Sequence, residues 1–293
     1  GNKFKIKIAN TVNGRENIDN ILSELRGFFP NYFGVQRFGT VRPITHIVGE
    51  KIVRGDYEGA VFDYLTIDSP KFAGVEGREY LLKTRDFAKS IDKFPAHMLF
   101  ERQLLGHLSR NEGDFTGAIL QLPESLSKML VHGYQSLIFN KVLDLRMNEG
   151  IDAFLPQIGD LVMPADGYGG PDQRVTIEVT ERNQAKLSKR CREGKAWIAG
   201  LLPGANSNFS SGIQGELERQ VMEKLNVKFE DFIIDDMPEL SSYGMYRPLF
   251  QKYNDIEIEF DSGDPIFSFW LHKGTYATSF LREIMKSSDV TAY

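Results

Sequence analysis

Ten residues, Pro30-Asn31-Tyr32-Phe33-Gly34-Val35-Gln36-Arg37-Phe38-Gly39, gather three aromatic rings, two amides and a guanidinium in one short stretch. Such rings stack on flat heterocycles, and Asn31, Gln36 and Arg37 offer hydrogen bonds beside them. Pro30 fixes φ at the start of the stretch, and Gly34 and Gly39 are expected to take φ values closed to other residues. The stretch reads as a rigid loop with side chains turned outward to a ligand. The plainer alternative is an aromatic turn wedged under a helix.

A second run with chemistry in it is Lys186-Leu187-Ser188-Lys189-Arg190-Cys191-Arg192-Glu193-Gly194-Lys195. On a helix begun near Asn183, Lys186, Lys189 and Arg190 share a face, with Arg192 and Lys195 near the C-terminal end, where the dipole favours cations. These five cations are the candidates for binding phosphates, and a solvated helix face is the alternative. A net charge of −5 does not exclude a polyanion partner, because a local basic face can act while an acidic remainder keeps the protein soluble. Cys191 is the single cysteine, so an intramolecular disulfide cannot form. Neighbouring cations could lower its pKa, but it has no triad-like histidine context and reads as an incidental thiol. His46, His97, His107, His132 and His272 are scattered without metal-ligand spacing, so no metal is expected, and no cofactor.

The elements that must position these groups follow from periodicity. Lys3 to Ala9 alternates, with Phe4, Ile6 and Ile8 on the buried face of a strand and three lysines on the other, either guarding an edge or forming part of a ligand-facing surface. Asn13-Gly14 is read as a turn. Ile18, Ile21, Leu22, Leu25 and Phe28 fall at helical spacing and deliver the chain into the aromatic stretch. Pro43 is placed in the first turn of a helix ended by Gly55. From Asp56 the pattern is of successive amphipathic helices broken at Pro70, Pro95 and Gly113, then a stronger helix after Pro123.

From Gly159 short strands are expected at 160–163, 175–179 and 197–202, with a mobile hairpin-like turn at Asp166-Gly167-Tyr168-Gly169-Gly170-Pro171. Ile256 to Leu271 reads as an antiparallel hairpin whose second strand, apolar on both faces, is central, and a last helix follows Gly274. At 293 residues, 41% hydrophobic and 26% charged, the chain suits a soluble globular protein, expected to be intracellular and without a membrane span.

The run Asn31-Tyr32-Phe33-Gly34-x-Gln36-Arg37-Phe38-Gly39 resembles the signature of the archaeal-like TruD family of tRNA pseudouridine synthases. Two further matches lie in the same order: Tyr134-Gln135-Ser136-Leu137-Ile138-Phe139-Asn140, and Phe269-Trp270-Leu271 followed by Gly274-Thr275-Tyr276-Ala277-Thr278-Ser279-Phe280-Leu281-Arg282-Glu283. The resemblance spans essentially the whole chain. It implies an α+β fold, part of a pseudouridine synthase core of mixed, largely antiparallel sheet with flanking helices, interrupted by a large inserted TruD-specific α/β domain. On that reading residues 1–56 are the first part of the core, 57–245 the insertion and 246–293 the returning part.

The resemblance implies an isomerase that converts a uridine of tRNA, position 13 by family expectation, to pseudouridine through an aspartate and a flipped base. Asn31 and Phe33 match the family's active-site asparagine and the phenylalanine expected to stack on the uracil. Arg37, Thr278 and Arg282 match motif positions without an assigned role. The family's aspartate lies in a Gly-x-Lys-Asp-Arg motif upstream of the aromatic run, and this chain has no Lys-Asp-Arg triplet. It begins at Gly1 and is read as the C-terminal part of a longer enzyme, alone inactive, a cytoplasmic monomer whose partner is tRNA. The alternatives are a non-catalytic RNA-binding module and a protein-interaction scaffold.

Overall fold

The computed structural model describes residues 1–9, 14–69, 75–152 and 155–286. Asn13 and Pro70, expected at a turn and a helix break, lie outside the described residues. In chain order the elements are β1 (Asn2–Lys7), α1 (Arg15–Leu25), β2 (Phe28–Pro30), α2 (Val35–Phe38), α3 (Thr45–Val53), α4 (Tyr57–Thr66), α5 (Glu76–Thr84), α6 (Phe87–Ile91), α7 (Leu99–Leu108), α8 (Phe115–Ile119) and α9 (Glu124–Asn148). They continue with β3 (Leu161–Pro164), β4 (Ile177–Glu178), α10 (Gln184–Arg192), β5 (Ala196–Leu202), α11 (Gly212–Lys224), β6 (Met245–Pro248), β7 (Phe250–Lys252), β8 (Asn254–Asp261), β9 (Asp264–Leu271) and α12 (Ala277–Met285).

The opening strand and the closing hairpin make one sheet, in the order β1-β9-β8, all antiparallel. β9 is central, as its apolar sequence required. Its buried Phe267, Phe269 and Leu271 meet Phe280, Leu281 and Ile284 of α12 and Ile18 of α1 in one apolar cluster. On β1 the lysine face is exposed, with Lys5 on Glu259 at 3.3 Å and Lys7 on Asp261 at 2.8 Å, so those charges are already answered by β8.

A second sheet runs β4-β3-β5-β6, and the segment from Met245 to Lys252 takes part in both this sheet and a two-stranded one. Its first half pairs with β5 and its second half, as β7, pairs with β2, so Phe28–Pro30 is fastened beside Leu249 and Phe250. β4 keeps only Ile177 and Glu178 of the expected strand at 175–179. The reason is local: Asp172 donates its N–H to the Pro164 carbonyl and its carboxylate holds Arg174, which ties the chain into a turn before β4 can begin. The Asp166 to Pro171 turn is likewise built on a carboxylate, which accepts from the Tyr168 and Gly170 amides. Pro43 precedes α3 rather than sitting in its first turn.

α9 is the long strut of the helical part. It crosses α3 at two glycines: a Cβ on Gly49 would lie 2.0 Å from the Leu130 carbonyl oxygen, and one on Gly133 2.8 Å from Thr45 Cγ2. That close approach lets the C-terminal half of α9 run on toward the aromatic stretch. Arg146, wholly buried near the end of α9, makes a bidentate pair with Asp160 at 3.0 and 2.7 Å and donates to Gln214 at 2.8 Å. Gln214 in turn donates to Glu218, which also accepts from the Ser210 amide and hydroxyl.

Burial raises the Glu218 carboxyl above its ordinary range, against the opposing pull of those hydrogen bonds. A carboxyl raised on folding contributes stability that is present below its unfolded pKa and lost as pH rises through the folded one. The melting temperature of the wild type relative to Glu218→Gln is therefore expected to fall as pH rises from about 4.5 to 7.5, the lower bound being near the ordinary glutamate value. Calorimetry of the two proteins across that range checks it. A relative melting temperature that rises instead would reverse the sign.

Candidate active site

The aromatic stretch is not one outward loop. Phe28–Pro30 is a strand, Val35–Phe38 a single helical turn, and the residues between them are held from three sides. Asn31 is fully buried: its N–H donates to the Leu249 carbonyl at 2.8 Å and its Nδ2 to the Pro248 carbonyl at 2.8 Å. The Phe33 amide donates to Asn140 Oδ1 at 2.9 Å, and Asn140 Nδ2 donates back to the Phe33 carbonyl at 3.0 Å. Asn140 thus clamps the stretch from α9 as a neighbouring strand would. Arg37 is fixed from the same helix, donating through Nε to Ser136 Oγ at 2.9 Å.

The third hold is Arg247 of β6, which motif reading does not single out. Its side chain donates to Asn31 Oδ1 at 2.7 Å, to the Asn31 carbonyl at 3.2 and 3.3 Å and to the Gly274 carbonyl at 2.8 Å. Its guanidinium carbon lies 4.1 Å from the centre of the Phe33 ring, while that of Arg37 lies at 5.2 Å. All these acceptors are neutral. Burial is the main reason the Arg247 pKa is pushed down to about 10, with Arg37 adding repulsion, yet the group stays charged at neutral pH.

Phe33 itself is only 7% exposed, edge-on to Phe139 at 5.6 Å and to Tyr276 at 6.0 Å. The expectation of an outward ring is corrected by this: Phe33 belongs to the apolar cluster of Phe139, Leu143, Leu249 and Phe250, because the Asn140 clamp and Arg247 draw it inward. Asn31 is corrected in the same way. With its Oδ1 taken by Arg247 and its Nδ2 by Pro248, its side chain acts as a buried strut. Gly34 has an ordinary φ of −76°, so its freedom is not conformational; a Cβ there would come within 2.8 Å of both Thr278 Oγ1 and Gln36 Oε1. Gly39, at φ +106°, does use the left-handed region.

Over this base opens a cleft of about 180 Å³, lined by Tyr32, Phe33, Gly34, Val35, Phe38, Asn140, Thr278, Ser279 and Arg282. It brings together Phe33, Thr278 and Arg282 of the expected set, while Asn31 and Arg37 stand behind it. Thr278 donates to Gln36 Oε1 at 3.2 Å and Ser279 to the Tyr32 carbonyl at 2.8 Å, so α12 forms the far wall. Arg282 is exposed at the rim, and among the described residues it makes no bridge to Glu283 or to the aromatic stretch. No carboxylate lines the cleft among the described residues. His132 and His46 flank α2, and burial chiefly lowers the pKa of both, with Arg37 and Lys128 adding to it at His132 and Lys141 at His46.

The basic run forms α10, following Asn183 as expected. The structure divides its cations rather than presenting one face. Lys189 and Lys195 both turn to Glu193, at 4.0 and 2.8 Å. Lys186 and Arg190 line a separate pocket against β3 and β4, and Arg192 borders another with Arg26 and Phe28. Cys191 points into the core, where burial pushes its thiol up to about 12 in spite of the neighbouring Arg190.

Because Phe33 is packed as core, Phe33→Ala is expected to cost about 3–5 kcal/mol of stability, and Phe33→Leu clearly less. A double-mutant cycle of Phe33→Leu with Arg247→Met should show coupling of about 1–2 kcal/mol from the desolvated cation and ring. Urea unfolding of the four proteins measures it. Additive losses would mean that the guanidinium and the ring do not act on one another.

A profile of the family described as tRNA pseudouridine synthase D (TruD) matches residues 1–284. A protein of Methanosarcina barkeri named "Probable tRNA pseudouridine synthase D" is 38% identical over 301 residues, covering 98% of this chain and 68% of its own length. One of Thermococcus sibiricus with the same name is 35% identical over 291 residues, covering 98% and 68%. A crystal structure from Methanosarcina mazei carrying the family name superposes with a TM-score of 0.92 at 35% identity, covering 99% of this chain and 70% of that one. The aromatic stretch and the walls of its cleft are therefore features of a chain that belongs to the TruD family.

Proposed function

We propose that this chain forms the base-holding part of a tRNA pseudouridine synthase, in which the cleft above Phe33 receives a uracil flipped from the RNA. The observation that carries the reading is the cleft itself: about 180 Å³, with an aromatic base, a clamped polypeptide edge and an exposed guanidinium at the rim. The isomerisation breaks the bond from uracil N1 to ribose C1′ and makes one from C5 to C1′, with the C5 proton lost and N1 protonated. No atom is gained or lost overall. The uracil is thus a detached flat ring during part of the reaction, and a packed aromatic surface that holds it in place favours its rejoining.

Phe33 supplies that surface, and stacking of a base on an aromatic side chain is worth about 1–3 kcal/mol. Arg37, Asn31 and Arg247 act behind it as positioning residues, while Thr278 and Arg282 face the cleft. Lys186, Lys189, Arg190, Arg192 and Lys195 are the candidate phosphate contacts. The family's Lys-Asp-Arg triplet has no match in these 293 residues, and on this reading the aspartate that the reaction needs comes from elsewhere in the protein. The division into core at 1–56 and 246–293 with an insertion at 57–245 is part of the same reading. Supporting it, the segment from Met245 to Lys252 pairs with β5 on one side and β2 on the other, as a joint between the two would. No helix among the described residues is long and apolar enough to cross a membrane. We take the enzyme to be a cytoplasmic monomer, with the uridine at position 13 of tRNA as its target.

The missing carboxylate favours one second reading, a module that binds RNA without converting it. Activity separates the two. In the protein that contains the aspartate, Phe33→Leu is expected to slow single-turnover formation of pseudouridine in tRNA by at least about fivefold, the equivalent of the lower stacking energies, while tRNA affinity stays within about twofold. The 293 residues alone should bind tRNA and form no pseudouridine, read by chemical mapping. Pseudouridine above background from the chain alone would place the carboxylate among these residues. An unchanged rate in Phe33→Leu would remove the ring from the site.

A further inference from the structure

Away from the Phe33 cleft, α10, β3 and β4 enclose a second pocket of about 180 Å³, lined by Val162, Pro164, Ile177, Asn183, Lys186, Leu187, Arg190 and Ala196. Its chemistry is two-sided. Val162, Leu187 and Ala196 are buried and give an apolar floor, with Ile177 exposed at the edge strand. Lys186 and Arg190, one turn apart on α10, bring two cations to the same opening.

The charge distribution along the helix marks these two residues out. Lys189 and Lys195 share the Glu193 carboxylate, and Glu193 is pulled below its ordinary range chiefly by its hydrogen bond with Lys195. Neither Lys186 nor Arg190 makes an ion pair with a carboxylate among the described residues; Arg190 approaches the Lys195 carbonyl at 3.5 Å and meets Glu193 only through its longer-range field. Asn183 is not a free ligand either: its Oδ1 accepts from the Thr180 amide and its Nδ2 donates to the Glu178 carbonyl. The polar side of the pocket is thus cationic, with no carboxylate in its lining among the described residues.

We propose that this pocket is a nucleotide subsite for RNA, seating one base on the Val162, Ile177 and Leu187 floor with the adjoining phosphate between Lys186 and Arg190. The volume suits a single nucleobase, and unpaired cations beside an apolar floor complement a base joined to a phosphodiester. An acidic peptide would need the cations but not the floor. The proposal rests on RNA being the partner, yet it concerns binding and not conversion. It also narrows the basic run, since Lys189 and Lys195 have the Glu193 carboxylate beside them while Lys186 and Arg190 make no ion pair among the described residues.

The test is tRNA binding across a salt series with the full enzyme, each variant first checked for a wild-type melting temperature. Lys186→Gln with Arg190→Gln should weaken binding about tenfold and flatten the plot of log K against log salt by roughly 0.7–0.9 for each phosphate no longer neutralised. Lys189→Gln with Lys195→Gln should change both far less. Ile177→Gln, at the exposed edge of the floor, should weaken binding several-fold with the salt slope unchanged, because it removes a base contact and no charge. Equal effects from the two charge pairs, or wild-type affinity in Ile177→Gln, would overturn the subsite. An enzyme without pseudouridine synthase activity that keeps this pattern would refute the catalytic reading and leave the subsite standing. Capture of acidic peptides with the same residue dependence, and no effect on tRNA, would refute the RNA assignment.

Discussion

A buried guanidinium without a carboxylate is the constraint around which the site is arranged. Taking Arg247 out of water costs several kcal/mol, which an ion pair would normally offset. Here the offset comes from two carbonyls, an amide oxygen and the face of Phe33. Each of those groups is thereby fixed: the Asn31 amide can turn only one way, the chain at Gly274 is held against β6, and the Phe33 ring cannot swing out. A neutral residue of the same size without donors would leave the two buried Asn31 acceptors unsatisfied, each costing about 1–3 kcal/mol. Positive charge is also left beneath the cleft, where it favours electron-rich or anionic ligands.

Everything else in the site is delivered to this point from a distance. α9 reaches it only because Gly49 and Gly133 let α3 and α9 cross backbone to side chain, with no room for a Cβ. Ser136 and Asn140 then fall on the side of α9 that meets α2, and they hold Arg37 and the Phe33 backbone. From the other direction β9 and α12 carry Gly274, Tyr276 and Thr278 to the opposite wall. The cleft is therefore walled by the aromatic stretch, α9 and α12, and the segment from Met245 to Lys252 fastens the stretch beneath it.

The parts legible in the sequence were those set by short-range periodicity. The alternation of β1, the run of α9 and the hairpin of β8 and β9 follow from side-chain spacing, and the doubly apolar β9 had to be central. The aromatic stretch was identifiable as the site because it is dense in planar groups and matches a family signature. Its conformation was not legible, because outward or inward turning of Phe33 depends on two distant residues: Arg247 lies 216 positions from Asn31, and Asn140 lies 107 positions from Phe33. Nothing around Arg247 signals its role: an arginine between Tyr246 and Pro248 looks like an ordinary strand residue until pairing with β5 places it inside. Asn140 closes one of the quoted motifs, and a polar residue at the end of an otherwise apolar helical run is the signal that could have found it. The basic helix was placed correctly, but its division into paired and unpaired cations required the position of Glu193.

The claim that Arg247 holds the Asn31 to Phe33 backbone is tested most directly by native-state hydrogen exchange at two amides. Asn31 donates to Leu249 and Phe33 to Asn140, so both report on the stretch itself. In Arg247→Gln both amides should lose protection by at least about tenfold, while those of β5 and of the middle of α9 exchange at the wild-type rate. Unchanged protection at Asn31 and Phe33 in that variant would contradict the account and leave the Asn140 clamp and the Pro248 and Leu249 carbonyls to hold the stretch.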